Sequence, residues 1–294
     1  MVRVTQEGMV HSALLRLQER LSSLDTAGKR LSSGKAVQVA SDDVSGMNRI
    51  LGLRARIRAG EQEARNAADG LTWLNVADTK LQTVSDRMHR ARELIVRAGS
   101  TNDATAREAL ASEIESIRDD ILSVANTKID GRALFAGTSA GPAVVAGAGY
   151  TYGGDLNDVQ RRIGAEDLVT VNVNASDVFG FTDGENLFAT LTDVATDLRS
   201  GNTQAVLGKL DDMDRAQQRL SAGLAAIGAA TNHIDAAMVR NDDEQITLKG
   251  ELSKVEDIDM AAAIMELQTQ EVAYQATLGA LSRVLQPSLV DFLR

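Results

Sequence analysis

"VLGKLDDMDRAQQRLSAGLAAIGAATNHIDAAMVRNDDEQITLKGELSKV", residues 206–255, decides the fold. From Val206 a seam runs in alternating steps of four and three through Leu210, Met213, Gln217, Leu220, Leu224, Ile227, Thr231, Ile234, Met238, Asn241, Gln245, Leu248, Leu252 and Val255. Eleven of those fifteen positions are apolar, a heptad seam too long for an ordinary globular helix. The seam slips at "EDID", Glu256 to Asp259, and resumes in a new register at Met260, Ile264, Leu267, Glu271, Tyr274, Leu278, Leu281 and Leu285.

The other half of the chain repeats this organisation in reverse. Near the start, Val10, Leu14, Leu17, Leu21, Leu24, Gly28 and Leu31 follow the same spacing. "RLSSGKAVQVASDD", Arg30 to Asp43, then breaks the helix: Gly34 suits a left-handed C-cap, and Ser41, followed by Asp42 and Asp43, offers an N-cap oxygen and first-turn negative charge. A second helix is expected from about Asp42 to Ala98 on the stripe Ala64, Ala67, Leu71, Leu74, Ala77, Leu81, Val84, Met88, Ala91, Ile95 and Ala98. At ~1.5 Å per residue it would span roughly 85 Å, too long to fit inside a globule. A third follows on Leu110, Ile114, Ile117, Ile121 and Val124, and a shorter one on Leu187, Leu191, Val194 and Leu198.

Helical spacing fails only between residues 129 and 183. There an Asp130-Gly131 turn signal, clustered glycines and the alternation Val169, Val171, Val173 predict turns and short strands, enough for a small appended domain. The fold class is therefore mainly α: an elongated rod of long antiparallel helices, with paired terminal helices and a small β-rich insert.

Composition agrees. Only 3% of the 294 residues are aromatic and two are proline, which favours long thin helical packing over a thick core. The absence of cysteine removes disulfides, thiolate metal sites and Cys nucleophiles. A net charge of −10 argues against nucleic acid as a general partner. No window approaches the ~18 apolar residues of a membrane helix, so no membrane insertion is expected, and "MVRVTQEGMVHSALLRL" lacks the layout of a cleaved secretory signal. Residues 1–60 carry ten Lys/Arg against five Asp/Glu, while residues 241–294 carry four against ten. The two ends therefore attract, as an antiparallel return of the chain would require. A pair of ~30-residue helices buries only one seam, so the ends are expected to order on assembly with neighbouring copies.

Catalytic and cofactor motifs are missing. His11, His89 and His233 are scattered, and Asp86-x-x-His89 occurs once, where a bundle metal site needs two such units. "GAGYTYGGD" is one residue off the dinucleotide fingerprint and has neither the strand before it nor the helix after it. The acidic groups at Asp211-Asp212 and Asp242-Asp243-Glu244 lack a calcium-loop pattern, and Asn174-Ala175-Ser176 matches a glycosylation sequon. No catalytic, cofactor or metal residue is nominated, and the chain is expected not to be an enzyme.

Three segments carry a resemblance. "RLSSGKAVQVASDDVSGM", "ARNAADGLTWLNVADTKLQ" (Ala64–Gln82) and "RARELIVRAGS" (Arg90–Ser100) resemble the N-terminal half of bacterial flagellins and their relatives, and "EDIDMAAAIMELQTQEVAYQATLGALSRVLQPSLVDFL" resembles the matching C-terminal half. Within that superfamily "NTKIDGRALFAGT", Asn126 to Thr138, is similar to the hook-associated protein 3 branch, the hook–filament junction proteins. Flagellin itself is the alternative, and a cytoplasmic helical enzyme or signalling coiled coil the remote one.

The resemblance implies a non-enzymatic flagellar subunit, exported through the type III channel without a cleaved signal to an extracellular place between hook and filament. Implied partners are hook-associated protein 1, flagellin, copies of itself in a ring and an export chaperone at the C-terminal helix. Implied domains are 1–40 with 256–294 as the inner coiled coil, 41–137 with 184–255 as the rod, and 138–183 facing outward. Assembly would use Leu14, Leu17, Leu21, Leu24, Leu31, Ile264, Leu267, Tyr274, Leu278, Leu281 and Leu285. The two breaks would act as hinges, with Gly34 and Ser41 as linker caps.

Overall fold

The computed structural model describes residues 6–101, 103–147 and 149–285. In chain order the helices are α1 (Gln6–Ser33), α2 (Val44–Ala98), α3 (Ala104–Ala125), α4 (Ala175–Phe179), α5 (Leu187–Ser200), α6 (Thr203–Gly208), α7 (Leu210–Glu256) and α8 (Met260–Leu285). Between α3 and α4 lie β1 (Lys128–Ile129), β2 (Arg132–Ala133), β3 (Val144–Val145), β4 (Thr151–Tyr152), β5 (Gln160–Arg162) and β6 (Leu168–Thr170). They pair as three separate antiparallel hairpins, β1–β2, β3–β4 and β5–β6.

The chain forms two compact units, residues 1–59 with 244–294, and residues 60–243, so the division falls within α2 and within α7. The larger unit holds the main core. There α2 and α7 run antiparallel, as shown by Asn241 Nδ2 donating to the Gly60 carbonyl (3.1 Å) and Gln217 Nε2 donating to Ser85 Oγ (3.0 Å). Leu81, Val84 and Ile95 of α2 and Leu220 and Ile234 of α7 are buried in that one core, along the seams the spacing predicts. Helix α3 packs on α5, and Arg199 of α5 is clamped by Glu108 and Glu115 of α3.

The β-rich segment does not form a core of its own. Val144, Val169, Val171 and Phe179 are buried in the same cluster as the helices. Strands of two or three residues cannot close a core alone, so they complete one supplied by helices. Residues 138–183 belong with the larger unit.

Local chemistry explains the connections. Asp130 and Gly131 both take positive φ (49° and 80°), the type I′ turn that an Asp-Gly pair favours between β1 and β2. Gly201 caps α5 in the left-handed region, and Asn202 caps α6 by accepting from the Ala205 amide (3.2 Å). The helix expected from Val206 is broken at Lys209: Gly208 ends α6, and α7 starts with Asp211 and Asp212 in its first turn, where negative charge is favoured. Helix α4 lies inside a stretch read as turns and strands, its start masked by the valine alternation just before it.

Candidate assembly interface

The smaller unit contains α1, α8 and the adjoining parts of α2 and α7. Its α2 and α7 segments pack through Leu53, Ile57 and Leu248, and Gln245 of α7 donates to the Ile57 carbonyl (3.1 Å). Helices α1 and α8 pack on each other. They run antiparallel: residues 12–20 and 276–281 line one cleft, while Gly34 and Ala36, just past α1, bond residues 256–258, just before α8.

That pair is thinly buried. Among the described residues of α1 and α8, only Ala27 is buried. Of the seam residues named from the sequence, Leu17, Leu24, Leu31, Leu267, Tyr274 and Leu281 are half-buried, while Leu14, Leu21, Ile264 and Leu278 are 40–52% exposed. Leu285 is the last residue of α8. The seam leaves out a second stripe, Leu15, Met265 and Val272, which is 53–66% exposed. Its signal in the sequence is the doubling of apolar residues at Leu14-Leu15 and Ile264-Met265, which gives each helix a second apolar face. A helix apolar on more than one face is built to be covered from more than one side, and full burial of one leucine is worth roughly 1.5–3 kcal/mol.

The two linkers meet each other. Gly34 takes φ 70° and its amide bonds the Arg30 carbonyl (2.9 Å), closing α1. Ala36 N–H donates to the Glu256 carbonyl (2.7 Å) and Ile258 N–H to the Gly34 carbonyl (3.1 Å), a single antiparallel bridge. The Glu256 side chain, only 6% exposed, receives Lys35 Nζ and Arg54 Nη2 (2.6 Å). Burial pushes its carboxyl up, but the Lys35 and Arg54 cations outweigh that and hold it below the ordinary glutamate value.

Ser41 is not the cap of α2. That helix begins at Val44, so Asp43 occupies the N-cap position, and Ser41 lies in a preceding turn. The turn is organised by Asp42, whose carboxylate accepts from the Gln38 (3.1 Å) and Val39 (3.2 Å) amides and is held by them below the usual carboxylate range. A carboxylate accepts two amides more strongly than a hydroxyl can, so Asp42 and not Ser41 organises the turn. Asp259 caps α8 similarly, accepting from Ala261 (2.9 Å) and Ala262 (3.2 Å).

Elsewhere the geometry is structural. Among the described residues no three His, Asp or Glu side chains converge to hold a metal. His233 meets Asp167 at 3.1 Å. The sequon residues Asn174 and Ser176 are buried, and Asn174 Oδ1 accepts from Asn172 Nδ2 (3.0 Å), so that match sits in the core and not on a surface loop. The segment Asn126–Thr138 is a packing node: Asn126 exchanges two hydrogen bonds with the Val144 backbone, Phe135 is fully buried against Phe179, and Gly137 takes φ 66° against Asp155.

Two family models match, the bacterial flagellin N-terminal helical region over residues 4–140 and the bacterial flagellin C-terminal helical region over residues 210–293. The chain belongs to the bacterial flagellin superfamily. Similar flagellins include that of Bacillus subtilis, 26% identical over 93% of this chain and 94% of that protein. Similar solved structures include the flagellar hook-associated protein-3 of Legionella pneumophila (TM-score 0.65, 16% identity, 70% of this chain and 98% of that one). Another is Xanthomonas campestris FlgL (TM-score 0.61, 20% identity, 68% and 99%). As a flagellin-superfamily member the chain is a structural component of the flagellum and not an enzyme. None of its described helices is long and apolar enough to cross a membrane.

Proposed function

We propose that this flagellin-superfamily chain is the hook–filament junction subunit, lying outside the cell between hook-associated protein 1 and flagellin as a ring of its own copies. The observation that carries the reading is its likeness in fold to hook-associated protein-3 and FlgL structures over about two thirds of its length. The Asn126–Thr138 segment supports it, since the part most similar to that branch is also a packing node. The exposed stripes of α1 and α8 are the surfaces that neighbouring subunits would cover, and the free face of α8 would seat an export chaperone by helix-in-groove recognition. Export without a cleaved signal suits a cysteine-free chain with only two prolines, which avoids slow disulfide and isomerisation steps.

Flagellin is the second reading, favoured by the alignment with Bacillus subtilis flagellin over nearly the full length of both chains. Complementation separates the two. In a cell lacking its junction protein, which keeps hooks and sheds flagellin into the medium, this chain should restore attached filaments while remaining a minor component. Growth of long filaments from the purified chain alone on seeds would overturn the junction reading in favour of flagellin.

A further inference from the structure

The bridge between the linkers joins residues more than two hundred positions apart, and it is built around a carboxylate that is almost wholly buried. Glu256 contacts three places at once: its carboxylate takes Lys35 from the first linker and Arg54 from α2, and its own carbonyl takes the Ala36 amide. Lys35 and Arg54 are both 42% exposed, so solvent can serve either cation when the carboxylate is absent, whereas Glu256 has no alternative counter-charge among its contacts. A buried carboxylate without its cations is strongly disfavoured. The return bond, from Ile258 N–H to the Gly34 carbonyl, uses an oxygen freed by the left-handed end of α1.

Each linker therefore satisfies its backbone groups only when the other is present. The 34–36 segment alone would leave the Gly34 carbonyl and the Ala36 amide to water. Residues 256–258 alone would leave the buried Glu256 carboxylate with Arg54 as its single cation and the Ile258 amide to water, loosening the junction of α7 with α8.

We propose that Glu256, Lys35 and Arg54 form a latch that orders the two linkers as one unit, so that the terminal helices are held in register only after both ends of the chain have arrived. The two breaks are then one coupled element and not two independent hinges. This goes beyond the choice between junction protein and flagellin and would hold in either.

Native-state hydrogen exchange on the full chain tests it at the Ala36 and Ile258 amides, with core amides of α2 such as Leu81 as reference. Glu256→Gln should accelerate exchange at Ala36 and Ile258 together, by about tenfold or more, with Leu81 unchanged. Lys254→Gln, which alters an exposed residue in the last turn of α7 outside the bridged segment, should move neither. Lys35→Gln removes the latch from the solvent-exposed side and should reproduce the joint acceleration. If Glu256→Gln also speeds Leu81, Lys35→Gln alone decides. Acceleration at one linker without the other, or at neither, would overturn the proposal.

Discussion

Gly137 shows how much a single position can demand. Its φ is +66°, and a Cβ there would lie 2.2 Å from Asp155 Oδ1 and 2.4 Å from the Asp155 carbonyl oxygen. Gly137→Ala should lower stability by about 1–3 kcal/mol, read as a drop in the midpoint of thermal unfolding. Glu256 makes a prediction in pH. Its carboxyl is held below the ordinary value of 4.5, through the two cations that outweigh burial, so folding favours the charged form. The stabilisation is complete above pH 4.5 and is lost as pH falls through the lowered folded value. Exchange at Ala36 should therefore stay slow from neutral pH to about pH 5 and accelerate, beyond its intrinsic pH trend, in more acid solution. Gly34 and Asp130-Gly131 were legible because positive φ narrows the choice of residue. Ser41 is harder to place, because three cap-forming residues stand in a row, and only the fold decides which carboxylate meets which amide.

Among the elements, the long helices were the most legible, since periodicity over dozens of residues leaves little else to form. The polar seam positions were visible too, without their partners. Gln245 is buried, donates to the Ile57 carbonyl and leaves its Oε1 without a partner. Gln245→Leu should raise the unfolding midpoint, by the equivalent of about 1 kcal/mol, because apolar packing then stands where a buried oxygen lacked a hydrogen bond. The cost should be looser register between α2 and α7, seen as broader resonances from Ile57 and Leu248. A rise in stability with unchanged line widths would mean that Gln245 does not set register. The hairpins were less legible. Their strands are too short to carry a pattern, and their burial comes from helices far away in sequence.

Across the whole molecule, the family and the general layout could be read from the two ends, and the burial of the β-rich segment could not. Nothing in the composition of residues 138–183 says that Val144, Val171 and Phe179 complete a helical core, because that depends on which helix lies beneath them. The stripes of α1 and α8 were visible, and they remain the largest part of the site whose partner a sequence cannot name. Removing residues after Val255 takes away α8 and the latch while leaving every residue of the larger unit in place. The truncated chain should keep the unfolding midpoint reported by Trp73, which is buried in that unit beneath Arg132, yet fail to join filament to hook. Filaments attached normally by that truncation would remove α8 from the assembly interface.

The three hairpins also bear on crowding. No strand among the described residues is longer than three residues, and each sheet has only two. Such edges offer too few unpaired amides and carbonyls to recruit a strand from a neighbour. Where many copies stand side by side, strand-to-strand fusion along the edges of the β-rich segment is thereby disfavoured.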